Sequence, residues 1–207
     1  EFYREHPEEL IGNWRNEFPN PNNPFFVELG CGKGSFIAQM ACSHPENNYL
    51  AIDLVDPMLG LAKRKIEEVY GEAKKEPENV IITRFDIERI PLILDEKDQI
   101  KRIYINFCNP WPKGKHHKKR LTYTRQLERY KEFLKPGGNI YFKTDDDDLY
   151  LASLRYFEKS GFEIISKTED LHKNQIFPEN IVTEHENMFT EQGITTKAII
   201  AKLKSEK

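Results

Sequence analysis

The chain has 207 residues, of which 38% are hydrophobic and 31% are charged, and its formal net charge is −3. This length predicts one domain with a full core, and the composition is typical of a globular protein rather than of a disordered or membrane protein. Because no apolar run is long enough to cross a membrane and no signal-peptide pattern opens the sequence, we expect a cytoplasmic location and no membrane contact.

We expect a single domain over residues 1–207, in which an N-terminal segment, 1–24, precedes the core of the domain, 25–207. The sequence starts at Glu1 rather than at a methionine, so we expect further residues upstream. The 3 cysteines are widely spaced and form no C-x-x-C pair. They predict buried, reduced thiols rather than disulfides or a zinc site.

Short apolar runs alternate with helical patterns along the chain. The predicted strands cover residues 25–29, 49–53, 80–82, 103–107, 139–143, 162–166 and 195–203, and the predicted helices cover residues 35–43, 58–70, 121–134 and 149–159. We expect the P-G-G sequence at 136–138 to end the third helix. This order predicts an α/β fold with a doubly wound, Rossmann-like, seven-stranded and mostly parallel sheet.

Ligands of such sheets bind beyond the carboxyl ends of the strands, near the point where the strand order reverses. That edge collects the glycine-rich loop at 28–34 and four polar residues that follow later strands, Asp53, Asp86, Asn109 and Asp145. We therefore expect the functional site at this edge.

The glycine-rich loop reads E-L-G-C-G-K-G, and its glycines, Gly30, Gly32 and Gly34, allow a ligand to approach the backbone closely. Their spacing departs from the G-x-G-x-x-G of dinucleotide-binding folds, and the chain has no G-x-x-x-x-G-K-[ST] phosphate loop. The loop, with its leading acid Glu28, resembles the one with which class I methyltransferases bind S-adenosylmethionine. The alternative is a tight turn that serves only strand-to-helix packing.

Two further carboxylates fit a ligand that contains adenosine. Asp53 ends the second strand, where it can accept both ribose hydroxyls. Asp86 follows the third strand and can meet an adenine amino group. Each acid alone is more often a solvated residue at a strand end, but together with the loop they favour S-adenosylmethionine as the cofactor.

The residues after the fourth strand carry a more specific resemblance. The sequence N-F-C-N-P-W-P at 106–112 is followed by Lys113 and by H-H-K-K-R at 116–120. The accompanying motifs are V-E-L-G-C-G-K-G at 27–34, F-K-T-D at 142–145 and N-I-V-T-E-H-E at 180–186. Over essentially its whole length the chain closely resembles the bacterial tRNA (guanine-N7)-methyltransferases.

This resemblance implies a class I methyltransferase fold, tRNA as the partner, and transfer of a methyl group from S-adenosylmethionine to N7 of the guanine at position 46, in the variable loop. We expect a monomer or a homodimer. The positions associated in the family with the methyl donor are Glu28, Asp53, Asp86 and Asn109. Those associated with the substrate are Lys113, Asp145, Thr183, Glu184, His185 and Glu186.

Asn109 and Asp145 are the candidate catalytic residues. The family usually has aspartate in place of Asn109 and proline in place of Cys108, so the resemblance leaves a charge-based role at position 109 open. Guanine N7 has an in-plane lone pair and needs no deprotonation, so positioning should dominate catalysis. An acceptor such as Asp145, Glu186 or the Asn109 carbonyl could offset the positive charge that develops on the purine.

The basic run after this corner predicts a surface that contacts RNA phosphates. The candidates for RNA contact are Lys115, His116, Lys118, Lys119 and Arg120. Trp111, between two prolines, offers a flat face to a base or is a core aromatic beneath the loop. His116 and His117 lack spaced partner ligands, so we predict no metal site.

Two rival functions fit the same residues. The N-P-W-P corner at 109–112 is also similar to the (D/N)-P-P-(Y/F) corner of adenine-N6 and other amino methyltransferases of nucleic acids, although the residue order differs. A catalytically weak tRNA-binding protein is also compatible with the missing carboxylate at Asn109. Nucleoside analysis of methylated RNA and methyl transfer with labelled donor separate these hypotheses.

Overall fold

The computed structural model describes residues 1–205, and its strands form one eight-stranded sheet. The strands are β1 (Tyr3–Arg4), β2 (Phe25–Leu29), β3 (Asn48–Asp53), β4 (Val80–Arg84), β5 (Ile100–Asn106), β6 (Leu134–Thr144), β7 (Phe162–Thr168) and β8 (Lys197–Leu203). Their order is β1-β4-β3-β2-β5-β6-β8-β7, and only the pairs that involve β8 are antiparallel. The order reverses between β2 and β5, which opens a crevice at their carboxyl ends.

Helices cover both faces of this sheet. They are α1 (Ser35–Ser43), α2 (Asp56–Glu72), α3 (Thr124–Tyr130), α4 (Asp147–Lys159) and α5 (Glu184–Glu191). The central strands send alternate side chains into two buried clusters: Ile103 and Ile105 of β5 pack with α3 and α4 residues, whereas Tyr104 packs with α1 and α2 residues. Burial on both faces explains why these strands are almost continuously apolar.

The predicted α/β fold with a mostly parallel sheet is confirmed, but the third helix was predicted too long. Its observed bounds are Thr124–Tyr130, and the P-G-G sequence at 136–138 lies inside β6 instead of ending a helix. The Leu121 carbonyl accepts a hydrogen bond from the Tyr130 hydroxyl at 2.8 Å rather than from a helical N–H. Gly137, at φ +76°, allows the irregular start of β6.

One strand and one α-helix were not predicted from the sequence. The short strand β1 pairs with β4 and makes the sheet eight-stranded rather than seven-stranded. In the same N-terminal segment Trp14 is fully buried, and its indole N–H donates to the Ile93 carbonyl at 2.7 Å. Residues 1–24 therefore contribute to the core.

Helix α5 is the second missed element, and Thr183 caps its N-terminus by accepting a hydrogen bond from the Glu186 N–H.

Candidate active site

The glycine-rich loop leaves β2 at the crevice and leads into α1. Gly30, Gly32 and Gly34 all have positive φ, at +78°, +52° and +80°. A Cβ atom on Gly34 would lie 2.7 Å from the Cα of Ala62 in α2, whereas a Cβ on Gly32 would meet nothing within 4 Å. Gly34 therefore serves helix packing, and Gly32 leaves space at the crevice. Packing therefore accounts for Gly34 but not for Gly32, and ligand binding by the loop stays a prediction.

Asp53, at the end of β3, fixes this loop. Its Oδ2 accepts a hydrogen bond from the Gly32 N–H at 2.8 Å, and its Oδ1 accepts one from the Val55 N–H at 3.0 Å. Asp86 lies at the end of the next strand, where its Oδ1 accepts from the Glu88 N–H at 3.0 Å and caps a short 3-10 helix. The donor-binding role expected for Asp86 stays a prediction.

A cleft runs along the loop and is closed on its other side by the residues before and within α5. Its lining residues are Glu28, Gly30, Cys31, Gly32, Lys33, Gly34, Ser35, Phe36, Asp53, Val55, Met58, Asn106, Phe107, Thr183, Glu184 and His185. Glu28, Asp53 and the three glycines of the loop, all expected on the donor side, thus meet three positions associated with the substrate. Asp86, Asn109, Lys113, Asp145 and Glu186 lie outside this lining.

Two buried polar atoms beside the cleft have no hydrogen-bond partner among residues 1–205. They are Oε2 of Glu28 and Nδ2 of Asn106. Burial raises the pKa of Glu28 to about 8, against the opposing effects of the Lys143 ammonium and of the neighbouring Asn106 side chain. The two side chains therefore face each other, and because unpaired buried polar groups are costly, their atoms suit a ligand with its own donors and acceptors.

The corner after β5 has a strained backbone. Phe107 and Trp111 have positive φ, at +53° and +43°, which is uncommon for bulky residues. The exposed Asn109 stabilises the turn, since its Oδ1 accepts a hydrogen bond from the Trp111 N–H at 2.9 Å. Phe107 stacks on His185 at the cleft, with ring centroids 5.8 Å apart.

The basic run folds back over this corner as a 3-10 helix, Gly114–Lys119. The Lys119 ammonium lies 4.9 Å from the centroid of the Trp111 ring, and the His116 ring lies 5.8 Å from it. Trp111 is half-buried at the surface and is not a core residue. Four lysines, Lys113, Lys115, Lys118 and Lys119, are exposed. The corner and the positive surface are therefore one structural unit.

Arg120 differs from the rest of the basic run because its side chain is buried, with 3% exposure. Its Nε donates to the Pro110 carbonyl at 2.8 Å, and its Nη1 donates to the Tyr156 hydroxyl at 3.1 Å. This geometry ties the corner to α4 and corrects the expectation that Arg120 contacts phosphate.

Asp145 follows β6 and is half-buried. Burial raises its pKa, while Lys197 and His185 oppose that shift. The Lys197 ammonium also donates to the backbone carbonyl of Asp145 at 2.9 Å. Asp145 is therefore attached to the start of β8 through Lys197, and it does not line the cleft.

Glu186 also departs from its expected role. Its side chain is fully buried and forms an ion pair with Lys143, with 2.6 Å between Nζ and Oε1. In this structure the Glu186 carboxylate contacts the buried Lys143 ammonium and is not exposed to a substrate in the cleft. Sequence reasoning placed Asn106 and Phe107 in the pocket wall at 106–112 but missed Lys143 as a site residue. A lysine inside an apolar strand was the available signal for Lys143, because lysine is almost never fully buried without a partner.

Within residues 1–205, no group of three or more His, Cys, Asp and Glu side chains is arranged to hold a metal ion. The same part of the chain contains no helix long and apolar enough to cross a membrane.

The strand order, the glycine loop and the cleft define a class I methyltransferase fold. The structure superposes on the 16S rRNA methyltransferase KamB with a TM-score of 0.64 and 13% identity, over 92% of this chain and 90% of that one. A structure described as an antibiotic-related methyltransferase gives a TM-score of 0.61 and 17% identity, over 91% and 88% of the two chains. At these identities the likeness concerns the fold alone.

Sequence comparison shows to which family of class I methyltransferases the chain belongs. A family model described as a putative methyltransferase matches residues 22–199. The tRNA (guanine-N(7)-)-methyltransferase of Clostridium perfringens (strain SM101 / Type A) is 53% identical over 202 residues, which are 98% of this chain and 92% of that protein. The protein of the same name from Acetivibrio thermocellus is 48% identical over 203 residues, again 98% and 92%. The chain belongs to the tRNA (guanine-N(7)-)-methyltransferase family, which confirms the resemblance seen in the sequence.

Proposed function

We propose that the protein transfers the methyl group of S-adenosylmethionine to N7 of a guanine in tRNA, at position 46 of the variable loop. The observation that carries this proposal is the cleft. It joins the glycine loop, Asp53 and the unpaired atoms of Glu28 and Asn106 to residues 183–185 in a chain of this family.

The donor side of the cleft suits S-adenosylmethionine, which supplies an electrophilic methyl group on a sulfonium when bound. The open backbone at Gly32 accommodates the ligand, and Asp53 holds that backbone in place. Glu28 and Asn106 would hold polar groups of the donor through their unpaired atoms. The residue types present therefore fit the cofactor without a metal ligand.

The substrate side orients guanine rather than activating it. N7 attacks through its own lone pair, so the protein needs no strong base, and holding N7 in line with the methyl group supplies several kcal/mol. The half-buried Asp145 offsets the positive charge that the purine gains on methylation. His185, stacked on Phe107 at the edge of the cleft, provides an aromatic surface beside it.

The four exposed lysines of the basic run hold the tRNA by its phosphates. Their 3-10 helix is attached to the corner at 109–112, so phosphate contacts outside the cleft position the base near it. A cytoplasmic location, a single domain over 1–207, and a monomeric or homodimeric state agree with this function and stay predictions.

Incubation with unmodified tRNA and labelled S-adenosylmethionine, followed by digestion to nucleosides, tests the proposal. We expect 7-methylguanosine. N6-methyladenosine would instead identify an amino methyltransferase, and intact tRNA binding without transfer would identify a binding protein.

Asp53→Ala should reduce transfer roughly 100-fold or more because the loop loses its anchor. Asp56→Ala, at an exposed acid three residues away, is the matched control and should retain activity.

A further inference from the structure

A buried lysine lies beneath the cleft in a position that the reaction itself does not explain. Lys143, near the end of β6, is 1% exposed. Its ammonium donates to Glu186 Oε1 at 2.6 Å, to Asn180 Oδ1 at 3.0 Å and to the Ile181 carbonyl at 2.8 Å. All three protons of the ammonium are used. Asn180 and Ile181 belong to the chain that leads into α5, and Glu186 lies in the first turn of α5.

The same ammonium also faces the donor side of the cleft. It lies 5.6 Å from the ring centroid of Phe36 and 5.6 Å from that of Phe107, and both rings line the cleft. Its charge also acts on Glu28, whose pKa it lowers against the effect of burial. Lys143 thus connects to the donor side as well as to the chain before α5.

Glu186 completes the connection on the substrate side. Its Oε2 accepts from the Asn180 amide at 3.1 Å and pairs with His172 Nε2 at 3.1 Å. Residues 172–191, which we name the α5 segment, are therefore held by one buried carboxylate. The cleft residues Thr183, Glu184 and His185 directly precede that carboxylate in the chain.

We propose that Lys143 and Glu186 form a positioning pair, which holds Thr183, Glu184 and His185 against the cleft and couples this substrate wall to the donor wall at Phe36. The proposal rests on the function proposed above. Neither residue touches the reacting atoms. The pair acts by fixing the α5 segment, and the position of the Lys143 ammonium against the Phe36 and Phe107 rings of the cleft makes that fixation depend on what occupies the donor side.

A purely stabilising ion pair is the competing explanation. Breaking a buried pair leaves an unpaired buried charge, whereas replacing both partners with apolar residues of similar volume commonly restores stability. The double variant Lys143→Met/Glu186→Leu therefore separates the two explanations. It restores stability without restoring the hydrogen bonds that fix the α5 segment.

The first experiment compares melting temperature and steady-state kinetics. We expect Lys143→Met to lower the Tm by on the order of 10 °C and the double variant to recover most of it. In the double variant kcat/KM for tRNA should stay at least about tenfold below wild type, while the Kd for S-adenosylmethionine changes less than about threefold.

Glu186→Gln, which keeps the shape of the side chain, should show the same kinetic split if Lys143→Met fails to fold. Glu17→Gln, at the remote Arg4–Glu17 pair, is the control and should show no split. Recovery of both Tm and kcat/KM in the double variant would overturn the proposal.

The second experiment needs no methyl transfer. Amide hydrogen exchange of the α5 segment is measured with and without S-adenosylmethionine. We expect the donor to slow exchange there at least about threefold in wild type and to have no effect in the double variant. Equal protection in both proteins would overturn the coupling. If wild type methylates no tRNA but donor-dependent protection is lost in the double variant, the proposed function fails and the positioning pair stands.

Discussion

Asn109 stabilises the turn at 109–112 through the position of its side-chain oxygen. Its Oδ1 accepts the Trp111 N–H at 2.9 Å and so supports the left-handed backbone of Trp111. An aspartate presents the same oxygen in the same place. The turn therefore needs an acceptor at position 109, and the negative charge that the family usually carries there is not required for its geometry.

This geometry predicts the effect of changes at Asn109. Asn109→Asp should change kcat/KM for tRNA less than about tenfold, because the acceptor is preserved. Asn109→Ala should reduce it by more than about tenfold, because the Trp111 N–H loses its partner and the corner relaxes. Methyl transfer with labelled donor measures both. A large gain in activity for Asn109→Asp would show that charge, rather than turn geometry, limits this protein.

The raised pKa of Glu28 predicts that the stability of the protein depends on pH. The pKa of Glu28 is raised to about 8 in the folded state, above its ordinary value near 4.3 in an unfolded chain. Between these values the folded state holds a proton that the unfolded state has released, so stability falls as pH rises toward the folded pKa. From pH 6 to 8 wild type should lose about 2 kcal/mol of unfolding free energy relative to Glu28→Gln.

Urea unfolding of both proteins across this range measures that difference, and histidines common to the two chains cancel from it. Parallel curves for wild type and Glu28→Gln would contradict the raised pKa. The comparison is made without donor, because a bound cationic ligand would favour the ionised carboxyl.

At the scale of elements, the glycine loop is fixed by its contact with α2. Gly34→Ala would place Cβ 2.7 Å from the Ala62 backbone, at φ +80°. The variant should lose roughly 2–4 kcal/mol of unfolding free energy from strain and overpacking. The control is Gly60→Ala in α2, where a Cβ meets nothing within 4 Å. It should raise stability by about 0.5–1 kcal/mol. Equal effects in denaturant unfolding would contradict the packing role of Gly34.

The 3-10 helix Gly114–Lys119 predicts the salt dependence of tRNA binding. Lys118→Ala/Lys119→Ala should weaken binding and reduce the slope of log K against log salt by roughly 1 to 2. The affinity for S-adenosylmethionine should stay unchanged. Lys101→Ala/Lys135→Ala removes two exposed lysines at the amino ends of β5 and β6, away from the site, and should leave the slope as it is. An unchanged slope in the first variant would remove Lys118 and Lys119 from the interface.

On the scale of the whole molecule, the sequence predicted the layers and the edge of the sheet that carries the site. Apolar runs and helical spacing are local signals, and the order of elements then restricts the topology. Helix α5 was missed although Thr183 and Glu186 have the spacing of a capping box. The third helix was predicted too long because the P-G-G sequence, which usually ends a helix, lies within β6.

Site residues could be predicted from the sequence where the residue type usually has a single role at that position. They could not be predicted where the role depends on contacts with residues distant in sequence. The glycine loop and Asp53 line the cleft as expected. Arg120 was expected to contact RNA and Glu186 to contact the substrate, yet both are buried by partners distant in sequence, Tyr156 and Lys143. No local pattern contains such contacts, because they arise only when the sheet brings α4 and β6 next to these segments.

The most direct test is the location of the methyl group on tRNA. Two unmodified transcripts that differ only in guanine or adenine at position 46 are incubated with the protein and labelled S-adenosylmethionine, and the product is mapped by digestion and mass spectrometry. We predict 7-methylguanosine at position 46 of the first transcript and no methylation of the second. Equal methylation of both transcripts, or a product other than 7-methylguanosine, would contradict the proposed function.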